Sequence, residues 1–387
     1  MIMPSNHALL SPSAAHRWLH CTAAPKLEAL IPDAGSDYAA EGTLAHAMCA
    51  WQLKNLLGRN VDDESKEIAE YQQYLTNEMP EYVDVYKMIV IERYAEAQRH
   101  TADALLDIEV KLDITDYIPD GFGTSDAVII ADGTMEIIDF KYGKGVKVSA
   151  ERNPQMMIYA LGALARYDAE YRIDKVRMTI VQPRIDNLSV YEMSVEALRM
   201  WAEWILKPAA DEATQSAGRQ CAGDWCRFCK CKASCRELAQ YSISAVEGHE
   251  NTAMLTTAEL SKVLPKLATI KNWLSSVEEY ALGKALNGEV IPGFKVVEGR
   301  SMRVITSPDA VAASLTALGY TDEAIYRPKE LRTLTDLEKL IGKKRFTEAC
   351  GDYVTKGRGK PTIVPESDKR PPYNSAQDDF AGIIVND

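Results

Sequence analysis

The sequence predicts an α/β (α+β) protein with a large N-terminal domain and a smaller, mostly helical C-terminal one. Three observations carry this. The stretch Gly121 to Lys147, GFGTSDAVIIADGTMEIIDFKYGKGVK, reads as a β-hairpin, because two apolar runs flank Asp132-Gly133. Apolar positions at helical spacing fill long stretches before and after it. Five cysteines crowd between Cys221 and Cys235, and the composition changes soon after. The expected boundaries are a first domain over 1–240, a linker over 241–255, a second α+β domain over 256–356 and a flexible tail over 357–387.

Along the chain, Ser11 suits an N-cap and Pro12 the first position of a helix ending near Cys21. A second helix is expected over Ala39–Leu57, with Leu44, Met48, Trp51 and Leu53 among its apolar positions. Ile68 to Leu106 reads as largely helical, from the spacing of Tyr71, Tyr74, Met79, Tyr82, Tyr86 and Ile89. Leu106–Leu112 reads as a strand and the hairpin follows. Asn153-Pro154 caps a helix running to about Arg166. Val176–Pro183 and Leu188–Met193 read as strands, and Val195–Ser216 as helix. Beyond the linker come a long helix over Thr256–Leu286, a short hairpin over Val290–Ile305, and helices at Pro308–Leu318 and Leu334–Ile341. From Gly357 the chain is rich in Pro, Gly, Lys and Asp, and little fixed structure is expected.

Composition narrows the function classes. With 387 residues, 46% hydrophobic, the chain can bury a sizeable core. A net charge of −12 excludes a whole-chain basic footprint, so nucleic-acid contact would need a local patch. No apolar run approaches the roughly 20 residues of a membrane span. The segment MIMPSNHALLSPS lacks a basic region followed by an apolar one, so no signal peptide is read there. A cytoplasmic protein without a membrane partner is expected. In a reducing cytosol the crowded cysteines point to a metal or cluster and not to disulfides.

The hairpin carries the chemistry. A two-residue loop at Asp132-Gly133 sets Ala131 against Thr134, Val128 against Ile137, and Asp126 against Asp139. Like charges directly opposed destabilise a sheet, so two carboxylates there share a proton or a cation. Lys141, two residues on, shares the face of Asp139. An Asp, Asp, Lys cluster suits Mg²⁺ or Mn²⁺ with an amine beside it to orient a water. The plainer reading makes Asp126 a turn residue and Asp139 an exposed partner of Lys141. Gln155 and Tyr159, at i and i+4, share a helix face that could meet this cluster. They could equally be a core tyrosine with a glutamine at its edge. His46 lies in an apolar helical stretch, where it is either a buried, hydrogen-bonded residue or an added ligand. Cys226-x2-Cys229-x5-Cys235 needs a fourth thiolate, from Cys21, Cys221 or Cys231. Zinc is one occupant, although only one C-x2-C pair is present; a [4Fe–4S] cluster is the other.

Assembled in order, these residues resemble the PD-(D/E)xK nuclease superfamily. Within it the chain is most similar to RecB-type nucleases carrying an iron–sulfur cluster, such as the AddB nuclease domain and the Cas-four-type adaptation nucleases. That resemblance spans roughly residues 8–240. The opening LSPSAAHRWLHC and the late GKPTIVPESDKRPPY also resemble an uncharacterised phage and prophage family of this type, over the whole length. The family's G-x3-H falls on Gly42 and His46 and its metal-binding Asp on Asp126. Its D/E-x-K falls on Asp139 and Lys141, and its Q-x3-Y on Gln155 and Tyr159. Its cluster cysteines fall on Cys21, Cys226, Cys229 and Cys235. Ser125 stands where many members have proline.

The resemblance implies a PD-(D/E)xK core, a mixed β-sheet flanked by helices with an iron–sulfur staple. It implies a Mg²⁺- or Mn²⁺-dependent deoxyribonuclease, expected to be an exonuclease serving phage recombination or replication in the host cytoplasm. His46, Asp126, Asp139 and the Phe140 carbonyl would bind metal, and Lys141 would orient the water. Gln155 and Tyr159 would position the strand. Lys144, Lys147 and Arg152 offer a local basic rim, as do Arg227, Lys230, Lys232 and Arg236. Expected partners are DNA, single-stranded or at duplex ends, and a phage single-strand-binding or annealing protein. The alternative is a non-catalytic DNA-binding or assembly subunit on the same fold.

Overall fold

The computed structural model describes residues 8–32, 35–244, 256–296 and Lys344. The chain divides into two units, Met1–Tyr326 and Arg327–Asp387, and the secondary structure described below lies in the first. Helix α1 (Ala15–Trp18) follows a 3-10 turn at Pro12–Ala14, and α2 is Ala24–Glu28. The Ser11 carbonyl, not its side chain, anchors this entry, accepting from the Ala14 N–H and from Trp18 Nε1. Helix α3 (Asp37–Leu56) is capped by the Ser36 hydroxyl. The stretch from Ile68 to Leu106 is largely helical as expected, divided between α4 (Asp62–Tyr71) and α5 (Met79–His100). Pro80 explains the restart: it has no N–H to give and fits only the first turn.

The sheet is mixed and five-stranded, in the order β1 (Leu105–Asp113), β2 (Phe122–Ala131), β3 (Gly133–Phe140), β4 (Ile173–Gln182) and β5 (Asn187–Ser194). Only β3 and β4 are parallel. The crossover between them is α6 (Pro154–Tyr167), capped by the Asn153 carboxamide, which accepts from the N–H groups of Gln155 and Met156. At the hairpin Gly133 takes φ 81°, the left-handed conformation that glycine adopts without steric cost. Pairing runs from Ala131↔Thr134 to Ala127↔Ile138, in the register the two-residue loop requires. It stops one pair short of Asp126 and Asp139.

Two cores sandwich the sheet. One lies under α3 and α5 and holds Leu106, Ile108, Ala127, Ile129, Ile138 and Phe140. The other lies under α6 and holds Val110, Leu112, Val128, Ile130, Met135 and Ile137. Strict alternation cannot send both Ile108 and Val110 to opposite cores. The break is at Glu109, where φ is 53° and β1 turns over. Strand β2 turns over opposite it. Ala127 and Ile129 face α3 and α5, yet a Cβ on Gly123 would meet Tyr159 of α6. The ladder correspondingly skips one pair, passing from Ile108↔Ala127 to Val110↔Ser125.

After β5 come α7 (Val195–Trp201), a π-helical turn at Ala202–Leu206 and α8 (Lys207–Gln215), one helical stretch as expected but with a bulge inside it. The cysteine segment leads into α9 (Arg236–Ser244), which continues past the expected boundary at 240. The long helix expected from Thr256 is α10 (Thr257–Val263), started by a Thr256/Glu259 capping box, and α11 (Leu267–Leu286). Pro265 separates them in a 3-10 turn. Asn272 of α11 donates to the Arg227 carbonyl at 3.1 Å, tying this helix to the cysteine segment. Residues 290–296 contain no strand. The rest of the expected hairpin, the linker residues 245–255, the two later helices and the tail lie outside the described residues.

Candidate functional site

The site forms where β1 and β2 turn over and β3 ends. Asp126 Oδ2 accepts from the Phe140 N–H at 2.7 Å, so the carboxylate takes over the backbone partner that a further ladder pair would have supplied. Its Oδ1 lies 3.2 Å from His46 Nδ1, presented by α3. Glu109 completes a trio: one ligand atom each from His46, Glu109 and Asp126 lie within 4.8 Å of one another.

By alternation Asp139 belongs to the α6 side of β3, and Gln155 waits there in the first turn of α6. Lys141 Nζ lies 3.2 Å from Asp139 Oδ1 and 3.0 Å from its Oδ2. The same ammonium donates to Gln155 Oε1 at 3.0 Å. Gln155 Nε2 donates to Asp139 Oδ1 and to the Tyr159 hydroxyl, both at 3.2 Å. Asp139 is 3% exposed, and its Oδ2 receives no well-directed hydrogen bond. Its contact with Lys141 is therefore a charge contact with capacity left for another donor or a cation.

Electrostatics tie the two halves together. Burial alone would push the His46 imidazole down, but the charge and hydrogen bond of Asp126 hold it up at about 9, with Glu109 and Asp139 adding to the pull. Burial works against the charge on Asp126. His46, the Phe140 N–H and Lys141 outweigh it and keep Asp126 below its usual range. Asp139 is pushed up, first by burial and then by the Asp126 charge, against the pull of Lys141. Burial opposes the charge of Lys141, and the two aspartates more than compensate, so the amine stays protonated. Glu109 is pushed up to about 8 by burial and by Asp126, opposed by His46 and Lys54. Three carboxylates and an imidazole converge here, and carboxylate oxygens with one imidazole are a donor set for Mn²⁺ or Mg²⁺. The residues therefore fit such an ion, with His46, Glu109 and Asp126 as the closest donors.

Of the expected residues, the structure gathers His46, Asp126, Asp139, Lys141, Gln155 and Tyr159 at one place. Glu109 was not among them. In LDIEVKL it occupies a polar position of an apolar-polar alternation, which reads as a solvent face, and only its left-handed backbone redirects it. Lys144, Lys147 and Arg152 are exposed on the loop from Lys141 to Asn153. That loop is pinned from β4: Gln182 Nε2 donates to the carbonyls of Gly143 and Val146, and Gln182 Oε1 accepts from the Val148 N–H.

The cysteine segment stands apart from this site in sequence but closes on the N-terminus. The Cys21 thiol contacts the backbone of Cys221, and it is pushed up mainly by burial, with Cys235 and Cys221 near enough to add to the effect. Burial pushes the Cys226 thiol up, and Cys235, Cys21 and Cys221 lie near enough to add to it. The Cys229 thiol contacts Cys231 and is pushed up to about 12, mainly by burial. Cys21 therefore meets the segment from about 200 residues away in sequence, and with Cys221 and Cys231 inside the segment itself there are three candidates for a fourth ligand. The donor set is all thiol, which both zinc and an iron–sulfur cluster accept. Glu28 of α2 locks the approach, accepting from Arg17 and from the Lys230 N–H.

Among the described residues no helix is long and apolar enough to cross a membrane. One solved structure, described as "Crystal structure of SSO0001", is 15% identical to this chain, with 58% of this chain and 95% of that one covered and a TM-score of 0.22. The model of the family described as "Protein of unknown function (DUF2800)" matches residues 7–371, nearly the whole length, and the chain belongs to that family.

Proposed function

We propose that this protein is a metal-dependent DNA nuclease, an exonuclease acting on phosphodiester bonds during phage recombination or replication. The observation that carries the reading is the network at the end of β3. A buried carboxylate, Asp139, is held by an ammonium and a carboxamide beside a second carboxylate and an imidazole. A divalent cation in this donor set would lower the pKa of a bound water and neutralise charge on a scissile phosphate. Lys141 keeps its proton, and its ammonium can hold an attacking water in line. Gln155 fixes the direction of that ammonium by accepting from it. Tyr159 fixes Gln155, because its hydroxyl accepts the second Nε2 hydrogen. The Asp126 carboxylate is oriented by the Phe140 N–H, which leaves its Oδ1 toward His46. Lys144, Lys147 and Arg152 can meet neighbouring phosphates despite the acidic chain as a whole.

A thiolate-bound [4Fe–4S] cluster at Cys226, Cys229, Cys235 and Cys21 is proposed as a structural staple, with zinc as the alternative occupant. The function is tested by incubating the protein with labelled single-stranded and duplex DNA, with Mn²⁺, Mg²⁺ or EDTA. Release of short products only with metal supports the reading. Tight DNA binding with no cleavage under either metal would favour the non-catalytic subunit instead.

A further inference from the structure

The proposed metal site has a donor that the D-x-K motif does not include. Glu109 sits in a left-handed conformation at φ 53°, which a side chain other than glycine seldom adopts and which costs energy. At this residue β1 changes faces, and the turnover brings the carboxylate from the sheet onto the side where α3 presents His46. There it lies within 4.8 Å of donor atoms of both His46 and Asp126. It accepts no hydrogen bond and forms no ion pair among the described residues. Half-buried carboxylates without a partner are unfavourable, and a second one beside Asp126 is more so. Asp139 differs. It already holds Lys141 and Gln155 and does not belong to the close trio.

Resting on the reading of this site as a cation site, we infer that Glu109 is a direct ligand of the ion. His46, Glu109 and Asp126 form its primary seat. Asp139 chiefly positions Lys141 and contributes its remaining oxygen as a secondary contact. Binding releases the His46 and Glu109 protons to solvent, and the two carboxylates and neutral imidazole that remain give the seat a charge of −2, matched to a divalent ion. The strained backbone and the carboxyl group without a hydrogen-bond donor then have one cause: both are offset when the ion binds.

The test is Mn²⁺ binding to the full chain, followed by isothermal titration and by the electron paramagnetic resonance signal of the free ion. Both readouts are independent of cleavage. E109Q keeps the shape of the side chain and should weaken Mn²⁺ binding at least about tenfold. D126N should weaken it similarly, and D139N should weaken it less than E109Q does. E109G guards against a folding artefact, because glycine tolerates φ 53°. It should melt no lower than wild type without metal, yet lose the Mn²⁺-induced rise in melting temperature. Wild-type binding lost in D126N but retained in full by E109Q would overturn the assignment of Glu109 and leave the site standing. Absence of Mn²⁺ binding by the wild type would overturn the site itself and this inference with it.

Discussion

Gln155 Nε2 donates to Asp139 Oδ1 at 3.2 Å, joining the first turn of α6 to the last turn of side chains on β3. The carboxamide can point only one way here, because its other end accepts from Lys141. Q155A removes these two contacts and the one to the Tyr159 hydroxyl, and frees the ammonium. Hydrogen bonds to charged partners contribute about 1.5–3 kcal/mol each, so the variant should melt lower than wild type while the fold survives. The turnover rate should fall roughly 10- to 100-fold, as expected for a misaligned reacting group, with little change in KM. A rise in KM alone would show that Gln155 acts on binding.

Gly123 makes the position of Tyr159 depend on a missing side chain. A Cβ there would come within 2.8 Å of Tyr159 Cε1 and 2.9 Å of Pro12 Cγ. G123A should therefore destabilise the protein by about 1–3 kcal/mol, as overpacking does, and displace the ring that orients Gln155. Thermal melting and cleavage measured on the same preparation check this. Unchanged melting and unchanged cleavage would mean that the ring moves without consequence.

Asp107, two residues before Glu109 on β1, gives a stability effect of its own. Burial would raise its carboxyl, but hydrogen bonds from the Tyr167 hydroxyl at 2.7 Å and Arg59 Nη1 at 2.8 Å, with the Arg59 charge, hold it below its usual range. The folded value lies below the unfolded value of about 3.9, so the contribution is present above that pH and is lost as pH falls through the folded value. D107N should melt below wild type at pH 7, with the gap closing below about pH 4. A gap independent of pH would assign the loss to packing.

The cluster reading predicts brown protein when purified without oxygen, with broad absorbance near roughly 400 nm. C21S should lower the melting temperature and expose α1 to protease, because a link across such a loop contributes on the order of 4–5 kcal/mol by analogy with a disulfide. Metal-dependent cleavage by the remaining folded protein should persist. Colourless anaerobic protein with one equivalent of zinc would favour zinc. C21S with wild-type melting and full iron content would move the fourth ligand to Cys221 or Cys231.

Much of this was legible because local chemistry decided it. Asp132-Gly133 set the register of β2 and β3, and Asn153-Pro154 placed the start of α6 to the residue. Gln155 and Tyr159 were legible through their i and i+4 spacing on one helix face, whereas spacing alone leaves His46 open between core residue and ligand, and the resemblance singles it out. Glu109 was not, because alternation is a rule about regular strands and β1 is irregular at that residue. The break before α5 is marked by Pro80, which fits only a first helical turn. The bulge at Ala202–Leu206 has no proline or glycine to mark it.

The central claim is that the Asp139–Lys141 network hydrolyses DNA. The measurement that bears on it most directly is the initial rate of Mn²⁺-dependent release of labelled nucleotides from single-stranded DNA by wild type, D139A and K141A, each checked for folding and DNA binding. The account predicts release by the wild type that EDTA abolishes. It predicts loss of at least about a hundredfold in both variants, which lack a group acting at the reacting phosphate, with DNA binding retained. Cleavage by folded D139A or K141A at the wild-type rate would contradict it.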